Sequence, residues 1–201
     1  MKKIILASGN EHKLKEIFEI TKEFNIELIS MYDAGFGEKD IVEDGHTFEE
    51  NSLIKAKTVM EKLGVSTLSD DSGLMVDYLE GAPGIHSARY SGKDRDYDAN
   101  NKKLLKELEN VPIEKRTARF VSVITLLMTD GRKLVVRGEV EGLIGFNEKG
   151  SNGFGYDPLF YIPKLDKTFA ELTSEEKNVI SHRANALIKL KNELGKFLNQ
   201  K

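Results

Sequence analysis

The feature that most constrains the fold is the dipeptide Asp130-Gly131, set between two long runs at 116–128 and 133–144. An Asp-Gly pair tolerates the positive φ angles of a tight hairpin turn, whose twist matches that of the flanking strands. The second half of the chain is therefore expected to hold two long neighbouring strands. The first half has a different rhythm. Residues 3–7 form a short apolar run that reads as a buried strand. Asn10 follows as an N-cap, with Leu14, Ile17, Phe18 and Thr21 as one helical stripe. Residues 26–31 read as a second strand, and Thr47-Phe48-Glu49-Glu50 as a capping box. The helix behind that box carries Leu53, Ala56, Met60 and Leu63. A third strand at 65–68 runs into Ser69-Asp70-Asp71-Ser72-Gly73, with 74–78 as its possible continuation.

A polar stretch at 80–97 has no hydrophobic period, and Asp98 is expected to cap a helix carrying Leu104, Leu105 and Leu108. Beyond the hairpin come a glycine loop at 150–157 and a short strand at 158–162. Thr173-Ser174-Glu175-Glu176 then opens a last helix carrying Val179, Ala186, Leu187, Leu190 and Leu194. Strand–helix alternation followed by a hairpin predicts an α/β fold, with a long mixed sheet and helices on both sides. No repeat and no Pro- or Ser-rich linker divides the 201 residues, so residues 1–201 are expected to be one domain.

Charge and composition exclude several classes. Lys plus Arg is 30 and Asp plus Glu 33, a net charge of −3. A non-specific nucleic-acid binder needs a basic surplus to displace counterions, and this chain has none. The absence of Cys removes disulfides, thiolate nucleophiles, Cys–Zn sites and Fe–S clusters, and fits a reducing cytoplasm. The apolar run at the N-terminus stops at Ser8, short of the roughly 7–15 residues of a secretory core. No apolar stretch approaches the roughly 18 residues of a membrane span. A cytoplasmic protein that engages neither membrane nor nucleic acid is expected.

Several segments could carry chemistry. Ser8-Gly9-Asn10-Glu11-His12-Lys13 is a glycine turn from a strand into a helix N-terminus, where free N–H groups attract phosphate. It is either such a site or a plain connection with a solvated lysine. Asp70-Asp71 places two carboxylates on opposite sides of a strand end. One can hold a hard cation such as Mg²⁺ and one can take a proton from water. Glu43-Asp44-Gly45 is either a solvated loop or a further metal ligand. Glu50 is explained by the capping box, and Lys55 by solvation on a helix face. In Gly153-Phe154-Gly155-Tyr156-Asp157, either the two aromatic rings offer flat faces to a base or they belong to the core. Lys177 and Ser181 are four apart, with His182 and Arg183 beside them, on what reads as one helix.

Taken together, Ser8-Gly9-Asn10 to Lys13, Thr47-Phe48-Glu49-Glu50-Asn51, Asp70-Asp71-Ser72-Gly73-Leu74 and Gly81-Ala82-Pro83-Gly84-Ile85 form an ordered set. Ser87-Ala88-Arg89-Tyr90-Ser91-Gly92, Gly153-Phe154-Gly155-Tyr156-Asp157-Pro158 and Ser181-His182-Arg183-Ala184 complete it. This set resembles the inosine triphosphate pyrophosphatase family, the dITP/XTP pyrophosphatases, from Ser8 to Ala184. The resemblance implies a homodimer of two-lobed α/β chains with the substrate in the cleft between the lobes. It implies Mg²⁺-dependent hydrolysis of the bond between the α and β phosphates. Asp71 would be the general base and a metal ligand, with Glu43 the second acidic ligand. Ser8, Gly9, Asn10, Glu11, His12, Lys13, Ser72 and Lys177 would bind phosphate and sugar. Phe154, Gly155, Tyr156, Asp157, His182 and Arg183 would bind and read the base. A non-catalytic nucleotide-binding module on the same fold is the alternative.

Overall fold

The computed structural model describes residues 2–8, 17–18, 21–37 and 41–199. Their strands are β1 (Lys2–Ala7), β2 (Ile26–Ser30), β3 (Thr67–Val76), β4 (Thr117–Leu127), β5 (Lys133–Ile144), β6 (Phe160–Ile162) and β7 (Lys167–Thr168). They form one open mixed sheet in the order β2-β1-β3-β4-β5-β6-β7. β1 runs parallel to both β2 and β3, with Ile5 opposite Ile29 on one side and Thr67 on the other. β6 and β7 run antiparallel to their neighbours, with Ile144 opposite Phe160 and Tyr161 opposite Thr168. Four α-helices are described along their whole length: α1 (Phe48–Leu63), α2 (Tyr97–Glu107), α3 (Ser174–Ile180) and α4 (His182–Asn199). None of the described helices is long and apolar enough to cross a membrane.

The chain divides into two compact units. The first comprises Met1–Asp71, Ser122–Gly138 and Ala186–Lys201, the second Ser72–Val121 and Glu139–Asn185. In the first unit β1 is buried on both faces, as a strand with parallel neighbours and helices on each side must be. Ile4 and Leu6 pack with Ala186, Leu187, Leu190 and Leu194 of α4. Ile5 and Ala7 pack on the opposite face with Met31, Phe36 and Val59 of α1. The side-chain period of 2 in the strand thus sends alternate residues to two different helices. Ile17 and Thr21 of the expected first stripe are buried, whereas Phe18 is exposed; Asn10 and Leu14 lie outside the described residues.

The second unit packs Leu74, Val76, Leu104, Leu108, Ile144, Leu159, Phe160 and Phe169 into its own core. Phe120 lies at its centre, with the ring of Phe160 at 4.6 Å and that of Phe169 at 5.8 Å. Beside it, the buried Arg116 donates to three carbonyls: Nε to Val111 at 3.0 Å, Nη1 to Gly145 at 2.8 Å and Nη2 to Leu108 at 2.6 Å. These fix the end of α2 and the entry to β4, because a guanidinium presents its donors in a rigid fork.

Five expectations are corrected. β3 is one continuous strand from Thr67 to Val76, so Asp70 and Asp71 lie inside it and not at a strand end. The 80–97 segment is not without order: Gly84–Arg89 is a run of helical turns, and Asp96 caps α2 in place of Asp98, accepting from the N–H of Ala99. The α1 stripe is also different. Asn51, Ser52, Ala56 and Val59 are buried, while Leu53 and Met60 are half-buried, because α1 docks a partly polar face. The last helix is broken at Ser181, whose ψ of 158° is extended; its Oγ accepts from the N–H of Ala184 and so starts α4 afresh.

Replacing Arg116 with Met removes charge-assisted bonds to buried carbonyls. The Arg116→Met variant is expected to lose about 3 kcal/mol of unfolding free energy in urea titration. A loss below about 1 kcal/mol would refute this role for the guanidinium.

Candidate active site

In the first unit the acidic site is built by α1, β3 and the loop before α1. Thr47 caps α1 by accepting from the N–H of Glu50 at 3.1 Å. The expected box is half formed, since Glu50 Oε2 accepts from the N–H of His46, not of Thr47. The N–H of Gly45 donates to Asn51 Oδ1 at 2.8 Å. A Cβ at Gly45 would lie 2.7 Å from that same oxygen, so only glycine allows this approach. The loop that carries Glu43 is thereby tied to the first turns of α1. The next residue, Ser52, meets Ser69 of β3, whose Oγ donates to the Ser52 carbonyl at 2.6 Å.

These contacts put Lys55 at the acidic part of β3. Its Nζ donates to the Asp70 carbonyl at 3.0 Å and pairs with Glu43 Oε1 at 3.1 Å. The Lys55 side chain is only 15% exposed. Burial opposes its charge, but Asp70, Glu43 and Asp71 together outweigh that, and its pKa stands above the ordinary lysine value. Lysine 55 is thus not a solvated helix residue, and sequence reasoning missed it. The signal lay in spacing: Lys55 follows Asn51 by four residues and precedes Val59 by four, so it shares their buried face.

Glu43 thus pairs with the ammonium directly, Asp70 meets it through its backbone carbonyl, and Asp70 and Asp71 also act on it through their charge. Carboxylate oxygens suit a hard divalent cation, which also takes phosphate oxygens and waters. The donor set of Glu43 and Asp71 fits such an ion in chemistry. Among the described residues, no group of three His, Asp or Glu side chains forms a ready-made metal cluster.

In the second unit, Asp157 is 3% exposed and organises the 153–157 loop. Its Oδ2 accepts from the N–H of Phe154 at 2.9 Å and forms an ion pair with Lys177 of α3. Gly153 has φ +77°, and a Cβ there would collide with the Asp157 carboxylate. Lys177 Nζ stands 5.5 Å from the centre of the Phe154 ring and 5.3 Å from that of Phe169. Phe154 is half-exposed and can offer its face to a base. Tyr156 cannot: its ring is buried and its hydroxyl donates to the Ser87 carbonyl at 2.8 Å. Burial, with Tyr90 and Glu107 nearby, pushes the Tyr156 pKa upward, so it stays a neutral donor.

His182 is buried and stacks on Phe120 at 5.0 Å, and Arg183 beside it is half-buried. Because Ser181 breaks the helix, Lys177 sits on α3 while His182 and Arg183 open α4. Phe154, Asp157 and Lys177 are brought together, as are Glu43, Asp70 and Asp71 around Lys55. Ser8 is buried just past the end of β1 and Ser72 follows Asp71 within β3, half-buried. Gly9, Asn10, Glu11, His12 and Lys13 lie outside the described residues.

The open mixed sheet with flanking helices, a lysine-centred acidic site on one unit and an aromatic-glycine loop on the other define an α/β protein. The chain belongs to the Ham1 family, whose model matches residues 4–193. It is 53% identical over 200 residues to a dITP/XTP pyrophosphatase of Clostridium perfringens, covering 96% of this chain and 98% of that one. It is 48% identical to a dITP/XTP pyrophosphatase of Haemophilus influenzae, covering 96% and 98%. Among solved structures it resembles a Ham1 protein of Staphylococcus aureus, with TM-score 0.89 and 42% identity over 97% of this chain and 99% of that one. A HAM1 protein of Coxiella burnetii aligns with TM-score 0.91 and 40% identity, over 98% and 100%.

Replacing Lys55 with Met removes the partner of Glu43 and the donor to the Asp70 carbonyl, and should lower unfolding free energy at pH 7 by on the order of 2 kcal/mol. Because the folded-state pKa of Lys55 is raised, its contribution is full below the ordinary lysine value and fades as pH rises through the raised one. The gap between wild type and Lys55→Met in urea titrations is therefore expected to hold at pH 7–9 and to narrow at higher pH. A gap that stays constant into strongly alkaline solution would refute it.

Proposed function

We propose that this chain is a dITP/XTP pyrophosphatase. It hydrolyses deaminated purine nucleotides (ITP, dITP and XTP) to the monophosphate and pyrophosphate, which keeps them out of DNA and RNA. The observation that carries this reading is the acidic part of β3 and the Glu43 loop meeting at Lys55, whose ammonium pairs with Glu43 and donates to the Asp70 carbonyl beside Asp71. A module that only bound nucleotides would gain nothing from carboxylates facing phosphates. Relatives at about half identity over nearly the full chain, named for that activity, support the same reading.

In this mechanism the oxygen of a water molecule attacks the α phosphorus while Asp71 accepts its proton. The bond from the α phosphorus to the bridging oxygen breaks, and pyrophosphate leaves. Glu43 and Asp71 would hold Mg²⁺, which when bound supplies neutralisation of the triphosphate charge. Lys55 keeps the carboxylates at fixed positions and adds a positive charge at the edge of the cluster. The transition state spreads its charge over the phosphoryl oxygens, so placed cations contribute more than covalent chemistry would. Lys13 and the turn from Ser8 to Lys13 would hold phosphates, with Lys177 and Ser72.

The base falls to the 153–157 loop, with Phe154 stacking on it. Hypoxanthine and xanthine carry an oxygen acceptor at position 6, where adenine carries an amino donor. A donor such as Arg183 or a backbone N–H is satisfied by the first and left unpaired by the second. Such sites can discriminate by about 10⁴-fold. His182, stacked in the core on Phe120, fixes the start of α4 and with it Arg183. In the same reading the enzyme is a cytoplasmic homodimer.

The test is to incubate the protein with Mg²⁺ and ITP, XTP, dITP, ATP or GTP and to identify the products. Pyrophosphate and a monophosphate are expected from the first three. No turnover of any of them would refute the enzyme, and release of orthophosphate would refute the mechanism. EDTA is expected to abolish turnover. Asp71→Asn is expected to lose at least about 10³-fold in kcat while still binding nucleotide, because the proton acceptor is gone. Near-normal turnover in that variant would remove Asp71 from the base role.

A further inference from the structure

The 153–157 loop holds two glycines in the left-handed region, Gly153 at φ +77° and Gly155 at φ +65°. Such a segment has many backbone conformations of similar energy, and its aim must be imposed from outside. Part of that restraint is clear: Asp157 holds the Phe154 N–H and Tyr156 reaches Ser87. The rest comes from α2. Asn101 Nδ2 donates to the Gly155 carbonyl at 3.2 Å. One turn earlier, the Tyr97 ring lies 6.0 Å from the Phe154 ring, tilted by 43°. Residues four apart on a helix share a face, so one face of α2 meets both the backbone and the exposed ring of the loop.

Asn101 is an unusual residue for its place. It is 3% exposed, three positions before the core residue Leu104. Its Oδ1 is buried with no hydrogen-bond partner among the described residues. An apolar side chain there would avoid an unsatisfied buried acceptor. What the amide adds is the single donor to Gly155. The next residue back strengthens the frame. Asn100 Oδ1 accepts from the Ser91 N–H at 2.7 Å, and its Nδ2 donates to the Ala88 carbonyl at 3.1 Å. α2 is thus held against the segment that also receives the Tyr156 hydroxyl at Ser87.

We propose that Tyr97 and Asn101 are positioning residues that set the aim of the 153–157 loop, and so its selectivity between a hypoxanthine and a guanine base. This rests on the reading of that loop as the base site. Neither residue need touch the substrate. Asn101 fixes the orientation of the Gly155–Tyr156 peptide, and Tyr97 limits the rotamers of the Phe154 ring. Loosening either should weaken binding of the preferred base more than it slows the chemical step, because the reacting phosphate is handled by other residues.

The test is steady-state kinetics on dITP and dGTP, with Mg²⁺, for wild type, Asn101→Leu, Tyr97→Leu and Tyr97→Phe. Both Leu variants are expected to raise KM for dITP about tenfold with kcat within about threefold, and to cut the dITP:dGTP ratio of kcat/KM about tenfold. Tyr97→Phe keeps the ring and is expected to restore most of the ratio lost in Tyr97→Leu. A merely structural role would lower thermal stability and leave that ratio in place. Ratios within twofold of wild type in the folded Leu variants, or a fall in kcat alone, overturn the proposal. If Asn101→Leu fails to fold, the half-exposed Tyr97 decides it. Wild type that releases no pyrophosphate from dITP overturns the reading of the site, and this inference with it. Turnover by wild type with unchanged ratios in the variants overturns this inference alone.

Discussion

Electrostatic repulsion among carboxylates is the constraint around which the first unit is arranged. Glu43, Asp70 and Asp71 repel one another, and a cation placed among them offsets that repulsion. Lys55 is that cation, and its own burial is tolerated because the acids outweigh it. For its ammonium to reach the Asp70 carbonyl, α1 must lie on β3 with a polar face down. That explains why Asn51 and Ser52 are buried where a simple amphipathic helix would bury leucines. The serine pair between α1 and β3 then satisfies the hydroxyls that this docking traps.

The second unit meets a different demand. It must hold a glycine-rich loop in one conformation while leaving Phe154 open. A buried carboxylate does this from below: Asp157 binds the loop's own N–H and the ammonium of Lys177 together. Gly153 is required because the carboxylate occupies the space a side chain would need. The aromatic core of Phe120, Phe160, Phe169 and His182 gives this arrangement a stiff floor.

Much of this was legible in the sequence. The Asp-Gly hairpin placed β5 at its observed ends, and the rhythm of apolar runs placed β1, β2 and the mixed sheet. The motifs marked the acidic strand and the glycine loop. What escaped were features that local patterns do not encode. Lys55 looked solvated because its partners come from a distant loop and strand. Tyr156 looked like a possible base platform because a glycine-flanked aromatic reads alike whether it points outward or into a core. The break at Ser181 was hidden since Ser is tolerated within helices, and only its extended ψ reveals a second N-cap. Asn101 carried no motif at all, and its role depends on a carbonyl 54 positions away.

The tie between Gly45 and Asn51, with that between His46 and Glu50, has a consequence for how this chain can drift over time. The loop bearing Glu43 is fastened to the same helix that bears Lys55. A substitution in the core beneath Val59 that nudges α1 carries acid and lysine along as one cassette. The spacing of the pair is thus insulated from repacking beneath it, and the interior of the first unit is free to change its side chains while Glu43 and Lys55 stay in register with each other.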